Sequence, residues 1–410
     1  MAINSKNRSF FLLLAIFFIS LQKLFSASSY TITTEQQFKT FQSTNIVVGK
    51  EGYLLLSNHF EKINVVFRPS PRHSYSADYS STTKKIFLFG GTENYPTYYN
   101  DCWIFDEETN QWQKISSSNT PQARYGGCIV NIGENKFLLF GGLGQQGYFE
   151  DTYIFSLFPS SGSFELVGIS SHPSARYYHS MCFVPEENKV YLFGGQYQDQ
   201  IYNDLWCFDL SSSTWSFIST SNPPQPRCGH KMVYIDKKIY IFGGQKDDIN
   251  FFNDLWVYDL QTKSFTDITP TTKPSARAHF GMAKFPELNQ ILIFGGHGNN
   301  YLNDLWFLNY ISTTFAQSNP ANSPSARDKF CFIKLKDKFF LYGGTSGYAG
   351  LDDSYFFYYS TYGETTSQEI YLQNPTKLYY RSFQFFPYRH CKISNCIFIK
   401  WNKLFPIFRS

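Results

Sequence analysis

The chain has 410 residues, of which 20% are aromatic and 17% are charged, and its formal net charge is +4. Both ends are basic: residues 1–28 carry three Lys or Arg and residues 377–410 carry seven, with no acid in either segment, which leaves −6 for residues 29–376. This acidic central region argues against a nucleic-acid-binding surface. Eight cysteines are too few for a disulfide scaffold, and their redox state stays open.

The first 28 residues have the pattern of a secretory signal peptide. Lys6 and Arg8 precede an apolar run from 10 to 21, and small residues follow at 26–28. The run is too short for a comfortable membrane span, so cleavage is expected and no stable span remains after it. The predicted location is secreted or in the lumen of the secretory pathway. If the segment is not a functional signal, the cytoplasm is the alternative.

Residues 29–59 form an N-terminal segment, and residues 60–362 then repeat one pattern six times. Each repeat holds Pro-x-x-Arg, a first strand, a second strand ending in Gly-Gly, a variable loop, Asn-Asp-Leu-Trp or a relative of it, and an aromatic-led strand. The arginines are Arg72, Arg124, Arg176, Arg227, Arg277 and Arg327. The glycine pairs are Gly90 and Gly91, Gly141 and Gly142, Gly194 and Gly195, Gly243 and Gly244, Gly295 and Gly296, and Gly343 and Gly344. A strand-rich unit with a period near 50 residues is typical of a propeller blade.

The third repeat illustrates the predicted strands. They cover 178–184, 189–193, 206–210 and 215–218, and the Gly-Gly pair after the second strand favours positive φ or close backbone packing. Aromatic residues open the third strands at Trp103, Tyr153, Trp206, Trp256, Trp306 and Tyr355. Others open the fourth strands at Trp112, Phe164, Trp215, Phe265 and Phe315.

With these motifs in register six times, the chain resembles kelch-repeat proteins. The resemblance implies an all-β propeller of four-stranded antiparallel blades with the first strand near the axis. Each fourth-strand aromatic lies 12 residues before the next arginine, and counting back 12 from Arg72 gives Phe60. We therefore expect six blades and a ring closed by an N-terminal strand at Phe60, which would cover a sheet edge. Seven blades, with extra strands from 45–67 and 369–372, are the alternative.

The C-terminal tail, 363–410, does not follow the repeat. Its last 34 residues include ten aromatic and seven basic residues without periodicity. Two interpretations stay open: a basic, aromatic arm that touches a membrane or partner, or a terminus that is not a genuine part of the protein.

The variable loops and the Pro-x-x-Arg linkers are expected on one face, since successive antiparallel strands alternate in direction. The six variable loops are 92–99, 143–150, 196–202, 245–252, 297–302 and 345–351. Function usually resides in such loops over a rigid scaffold. Side chains with contact area and a polar group are the predicted partner-binding set: Tyr95, Tyr98, Tyr148, Tyr197, His297, Tyr301 and Tyr348. The repeated arginines are interpreted as structural, because an aspartate recurs at the start of each third strand: Asp101, Asp151, Asp204, Asp254, Asp304 and Asp353.

No catalytic residue, metal site or cofactor is predicted. His179 and His230 lie three residues after their arginines, but His73 and His279 have other offsets, which argues against a shared metal site. The favoured function is a non-enzymatic scaffold that binds a protein of unknown identity through the loop-lined face. The alternatives are a secreted metal-dependent oxidase resembling galactose oxidase and a lectin-like carbohydrate binder. Oligomeric state stays open.

Overall fold

The computed structural model describes residues 46–48, 54–56, 58–168, 171–347, 349–359, 383–385 and 399–401. The chain divides into two units, Phe60–Phe357 and a second unit made of Met1–His59 with Tyr358–Ser410. The predicted signal peptide and most of the predicted tail lie outside the described residues. Within the described residues, no helix combines the length and apolar character needed to cross a membrane.

The described elements are strands and two short 3-10 turns. The strands are β1 (Ile46–Val48), β2 (Leu54–Leu56), β3 (His59–Ile63), β4 (Ser76–Ser80), β5 (Lys85–Phe89), β6 (Cys102–Asp106), β7 (Gln111–Ser118), β8 (Cys128–Asn131), β9 (Lys136–Gly144), β10 (Gly147–Leu157), β11 (Ser161–Leu166), β12 (Ser180–Val184), β13 (Lys189–Phe193), β14 (Gln196–Tyr197), β15 (Gln200–Ile201), β16 (Leu205–Asp209), β17 (Thr214–Ile218), β18 (Lys231–Ile235), β19 (Lys238–Phe242), β20 (Leu255–Asp259), β21 (Ser264–Asp267), β22 (Gly281–Phe285), β23 (Gln290–His297), β24 (Tyr301–Asn309), β25 (Thr314–Ser318), β26 (Cys331–Lys334), β27 (Phe339–Tyr342), β28 (Ser354–Tyr358), β29 (Phe383–Phe385) and β30 (Ile399–Trp401).

In the unit Phe60–Phe357, the strands form antiparallel groups of four that follow the sequence repeat. Four of these groups are separate sheets, β12-β13-β16-β17, β18-β19-β20-β21, β22-β23-β24-β25 and β26-β27-β28-β3. The first strands of successive repeats are neighbours, and β26 is a neighbour of β4. The fold is therefore an all-β propeller of small four-stranded blades.

The first two repeats share one eight-stranded sheet, which the repeat pattern does not predict. Its order is β4-β5-β6-β7-β11-β10-β9-β8. The two groups of four join where Ser116–Ser118 of β7 pairs in parallel with Ser161–Ser163 of β11. These segments are rich in serine. They lack the alternation of apolar and polar residues from which the pairing of two strands could be predicted.

The apolar core lies between adjacent blades. The second strands are buried on both faces, as in Lys189–Phe193, where only Lys189 is partly exposed. Phe242 packs on Phe280 and Phe315 of the next repeat, with ring centroids 5.5 and 5.6 Å away. Aromatic side chains fill this space because each supplies a large apolar area to two pleated surfaces at once. The high aromatic content of the chain is therefore used to hold blade against blade.

Strand β3 places an N-terminal residue in this core. It follows β28 in the sheet order, and the Phe60 side chain is fully buried. The Phe60 ring lies 4.9 Å from both Phe294 and Phe357. The Phe60 N–H donates to the carbonyl of Ala321 at 2.9 Å.

The Gly-Gly pair connects each repeat to the next through the backbone. Gly194 has φ +63°, and a Cβ there would lie 2.6 Å from the carbonyl oxygen of Arg227. The N–H of Gly195 donates to that same carbonyl at 2.9 Å. The glycine is therefore required both by the left-handed backbone and by the close approach of the neighbouring linker. Equivalent bonds occur in every repeat, and the N–H of Gly344 donates to Arg72 at 3.0 Å.

Three predicted variable loops contain strand structure. Loop 196–202 holds the short antiparallel pair of β14 and β15, and the other two loops belong to longer hairpins. Loop 143–150 falls in the hairpin of β9 and β10, and loop 297–302 falls in that of β23 and β24. Both hairpins carry a register shift beside the glycine pair, and so continue past it. These two loops are therefore rigid extensions of their blades.

The second unit contributes only two short strand pairs to the described residues. Ile46–Val48 pairs antiparallel with Leu54–Leu56, and Phe383–Phe385 pairs antiparallel with Ile399–Trp401.

Candidate functional site

The repeated arginines form a buried clamp with the repeated aspartates. Arg227 is fully buried, and its guanidinium donates to both carboxylate oxygens of Asp254 at 2.7 Å and to the carbonyl of Gly243 at 2.8 Å. The Trp256 indole N–H donates to the same carboxylate at 2.7 Å. The guanidinium also lies 4.5 Å from the ring centre of Phe252. The same two-point pairing joins Arg72 to Asp101, Arg124 to Asp151, Arg176 to Asp204, Arg277 to Asp304 and Arg327 to Asp353.

This clamp occupies the hydrogen-bonding capacity of the arginines. Burial alone would raise the pKa of Asp254, but the hydrogen bonds and charge of Arg227 outweigh it, so the pKa lies below its ordinary value. The pKa values of Asp101, Asp304 and Asp353 are lowered by the same balance. The six arginines therefore fix the linkers to the blades and are not an open anion site.

The residues after each arginine form a backbone ring around the propeller axis. In each repeat, the N–H of the second residue after the arginine donates to the carbonyl of its counterpart in the preceding repeat over 2.7–2.9 Å. The N–H of the first repeat donates to the carbonyl of the sixth, which closes the ring. The members of this axial ring are Ser74, Gly126, Tyr178, Gly229, His279 and Lys329. All six have φ between +54° and +66°. The arginine linkers therefore bring the backbone of every repeat around one central opening, and we call this ring and the residues beside it the mouth.

Tyrosines from three repeats make a continuous arc on this face. Tyr95 contacts Tyr98 edge-on at 6.0 Å, and Tyr98 stacks with Tyr125 at 5.7 Å. Tyr125 contacts Tyr177 at 6.0 Å, Tyr177 contacts Tyr148 at 5.7 Å, and Tyr148 contacts Tyr197 at 4.7 Å. We call these six residues the tyrosine arc. Tyr95 is 82% exposed, and the other five are half-buried.

The other predicted face residues lie beside a cleft between loops 245–252 and 297–302. The His297 ring contacts Phe251 at 5.1 Å and Tyr301 at 5.2 Å. The cleft has a volume of about 480 Å³ and includes Phe251 and Ile249, which is 81% exposed. Tyr348 lies outside the described residues. The structure thus brings Tyr95, Tyr98, Tyr148 and Tyr197 together in the arc and places His297 and Tyr301 at the cleft.

Polar side chains cross the mouth. The Ser74 hydroxyl lies 3.0 Å from Nδ1 of His73 and 3.1 Å from the Tyr178 hydroxyl, and the Tyr178 ring contacts His279 at 4.4 Å. Burial and the charge of nearby Lys329 lower the pKa of His73 to about 4. Burial lowers the pKa of His279 well below its usual range. Both histidines are therefore neutral at physiological pH.

Asp328 is a buried carboxylate beside the axial ring. Its side chain is 1% exposed, and its Oδ2 lies 3.9 Å from the Lys329 ammonium. Its Oδ1 has no hydrogen-bond partner among the described residues. Burial raises the pKa of Asp328 to about 6, although Lys329 opposes the shift. The mouth thus contains an acid that is only partly compensated.

The histidines considered for metal binding are packing residues instead. His179 and His230 are buried, and they contact Phe140 and Phe193 edge-on at 5.5 and 5.4 Å. Their ring nitrogens have no hydrogen-bond partner among the described residues. Burial lowers the pKa of both, so they are neutral. Within the described part of the chain, no group of three His, Cys, Asp or Glu is arranged to hold a metal. The six cysteines found there are free thiols.

Sequence reasoning missed Tyr125, Tyr177, Tyr178 and Asp328 as members of the face. Each follows its arginine by one or two residues, where the sequence predicts the beginning of the first strand. The structure starts that strand later, at Ser180 in the third repeat. Position relative to the arginine was the available signal, because the linkers were already expected on this face.

Two family models match parts of the chain. Residues 160–344 match the KLHDC2/KLHL20/DRC7 kelch-repeats domain, and residues 37–200 match the Attractin/LZTR1 beta-propeller. Together the two models span residues 37–344 and support a kelch-repeat β-propeller family. A solved structure, described as "Structure of YjhT", resembles this fold with a TM-score of 0.55 over 70% of this chain and 95% of that one. At 17% identity, this likeness shows the fold alone.

Curated relatives resemble the kelch repeats but are longer proteins. Tip elongation aberrant protein 1 of Schizosaccharomyces pombe is 36% identical over 193 residues, which is 44% of this chain and 16% of the relative. Kelch repeat-containing protein 2 of Saccharomyces cerevisiae is 30% identical over 206 residues, 45% of this chain and 23% of the relative. An F-box/kelch-repeat protein of Arabidopsis thaliana is 32% identical over 193 residues, 43% and 40% of the two chains. The matched region covers less than half of each of these relatives.

Proposed function

We propose that this kelch propeller is a non-enzymatic scaffold that binds a protein partner through the face carrying the tyrosine arc. The observation that carries the proposal is the arc itself, a continuous set of amphipathic rings from three repeats that includes the largely exposed Tyr95. Tyrosine is enriched in the energetic centres of protein interfaces, since it combines contact area with a hydroxyl. Kelch-repeat relatives support a role in protein interaction.

The arginine clamps hold the linkers beneath the arc in place, and an ordered surface of this kind favours partner binding. The Arg124 clamp fixes the linker that carries Tyr125, and the Arg176 clamp fixes the linker that carries Tyr177. A binding surface that is already ordered loses less conformational entropy when a partner docks.

We further propose a ring of six blades closed by β3. Six arginine clamps, the cyclic axial ring and the bond from Gly344 to Arg72 support this count. The eight-stranded sheet then represents two blades joined by the β7–β11 pairing. Closure by β3 would bury Phe60 and cover the edge of the last blade.

Secretion is also proposed, on the basis of the pattern in residues 1–28. Terminal peptide mapping by mass spectrometry, on protein isolated from its own cells, tests it. A mature N-terminus near Ser28 supports secretion, and an intact Met1 contradicts it. The same spectra establish whether residues 377–410 are present.

The binding role is tested by substituting face residues and measuring partner retention from native extracts. Tyr95→Ala and Tyr197→Ala are expected to abolish retention without lowering the melting temperature. Ile311→Ala is the matched control, because Ile311 is 70% exposed in the turn between β24 and β25, at the opposite end of its blade. Equal retention by all three variants would contradict the proposal, and a glycan array would then test carbohydrate binding.

A further inference from the structure

The tyrosine arc lies within a rim of acidic loops. The six variable loops contain five acidic residues and one basic residue, Lys246, which gives them a formal charge of −4. The acidic residues are Glu93, Glu150, Asp199, Asp247 and Asp248. A cluster of exposed carboxylates attracts positively charged ligands and repels negatively charged ones.

Three of these acids are not neutralised by the protein. Glu150, Asp199 and Asp248 are exposed, and none forms an ion pair with another residue in the described part of the chain. Asp248 lies close enough to Tyr177 to raise the pKa of that phenol, although burial is the larger cause. Glu150 and Asp199 lie in the same loops as Tyr148 and Tyr197, whose rings are 4.7 Å apart, so the acidic rim and the arc meet there.

Positive charge on this face is limited by the state of its histidines. Burial lowers the pKa of His73 to about 4 and lowers the pKa values of His279 and His297 as well. Lys329 lies beside the Asp328 carboxylate, whose Oδ1 accepts no hydrogen bond from a described residue. Asp328 and Lys329 balance each other in formal charge, so the negative charge of this face comes from the acidic loops.

The chain already shows how it accommodates a guanidinium. Arg72 lies 4.3 Å from the ring centre of Tyr99 while its nitrogens donate to Asp101, and Arg176 lies 4.1 Å from Tyr202. A tyrosine face and a carboxylate act on the same cation through its charge, its planar shape and its N–H donors. The arc with its acidic rim offers these groups to a ligand from outside.

We infer that the tyrosine arc and its acidic rim bind a basic, arginine-containing segment of a partner protein. This inference rests on the proposed function and names the chemistry of the partner. Arginine side chains would lie against the arc while Asp199 and Asp248 supply the opposite charge. An arginine segment fits better than a lysine segment, because a planar guanidinium stacks on aromatic rings.

The test uses the full chain and three labelled Gly/Ser peptides that differ only in carrying arginine, lysine or glutamate, with binding measured by fluorescence anisotropy. We expect the order arginine, then lysine, then glutamate, with weaker binding at ~0.15 M salt than at low salt. Asp199→Asn combined with Asp248→Asn should weaken arginine-peptide binding about fivefold. The matched control combines Glu61→Gln with Glu165→Gln, which removes the same charge from outer strands and should leave binding unchanged.

A second pair of variants tests the aromatic contribution. Tyr148→Phe keeps the ring and should bind the arginine peptide nearly as well as the native protein, whereas Tyr148→Leu should lose about fivefold. The melting temperature of each variant shows whether it folds. Equal effects of the acidic-rim and control variants, or of Phe and Leu, would overturn the inference.

The peptides also separate this inference from the proposed function. Tighter binding of the glutamate peptide, lost in Tyr148→Leu, would overturn the basic-segment inference and leave the face as a protein-binding surface. If none of the peptides binds in a tyrosine-dependent way, the inference is also overturned. The retention of the native partner by Tyr95→Ala then tests, on its own, whether this face binds a protein.

Discussion

Replacing Arg227 by leucine tests the structural role of the repeated arginines. The substitution removes three bonds from the guanidinium to Asp254 and Gly243 and one from Nε to the carbonyl of Gln225 at 3.0 Å. It leaves the Asp254 carboxylate with the Trp256 indole as its remaining side-chain donor. Removing one partner of a buried pair costs about 3–5 kcal/mol. Because the Asp254 side chain is 24% exposed, water offsets part of this loss, and we expect about 3 kcal/mol.

Equilibrium urea unfolding at neutral pH measures this loss of stability. Arg68→Leu is the control, because Arg68 pairs with Asp352 at 2.7 Å while 39% of its side chain is exposed. A surface pair of this kind is worth about 0–1 kcal/mol. If Arg227→Leu costs no more than Arg68→Leu, the clamp does not hold the linker to the blade. The double variant Arg227→Leu with Asp254→Leu should cost less than the sum of its single variants, because no buried charge is left unpaired.

Three further substitutions test closure and buried titratable groups. Phe60→Ala should lower the free energy of unfolding by about 3–5 kcal/mol, because it opens a cavity in the last blade, whereas Val66→Ala, at a 97% exposed position, should change urea unfolding little. His230→Phe should stabilise the protein more at pH ~5 than at pH ~8, because the buried histidine has a lowered pKa and loses stability as pH falls below its unfolded value; Phe280 already occupies the corresponding site, and an equal or opposite effect in thermal unfolding would contradict this. Asp328→Asn should raise the free energy of unfolding by about 2 kcal/mol at neutral pH. A carboxyl whose pKa is raised to about 6 loses stability as pH rises from 3.8 through that value. If the pH dependence of unfolding is the same in the variant, the raised pKa of Asp328 is refuted.

The fold was largely predictable because each repeat contains the short motifs that determine its structure. Gly-Gly marks the left-handed turn, and the arginine and aspartate occur in equal numbers, once per repeat. The strand at Phe60 follows from the spacing to Arg72, and the structure places it beside β28. The parallel pairing of Ser116–Ser118 with Ser161–Ser163 was not predictable, since it depends on how far two blades approach.

The face was predictable only in outline. Tyr148 and Tyr197 were recognisable in variable loops, but their contact joins different repeats and depends on the curvature of the ring. Tyr125 and Tyr177 were missed because a linker tyrosine beside a strand resembles the strand itself. Asp328 follows Arg327 directly, which marks it as a linker residue of this face, but no local pattern encodes its burial.

Site-specific cross-linking in native cells tests the central claim most directly. Benzoylphenylalanine in place of Tyr95 reports on the face, and the same residue in place of Ile311 reports on the opposite end of a blade; both positions are largely exposed. We predict a discrete protein adduct from position 95 and none from position 311. Adducts from position 311 alone, or the same adducts from both, would contradict partner binding through the tyrosine arc.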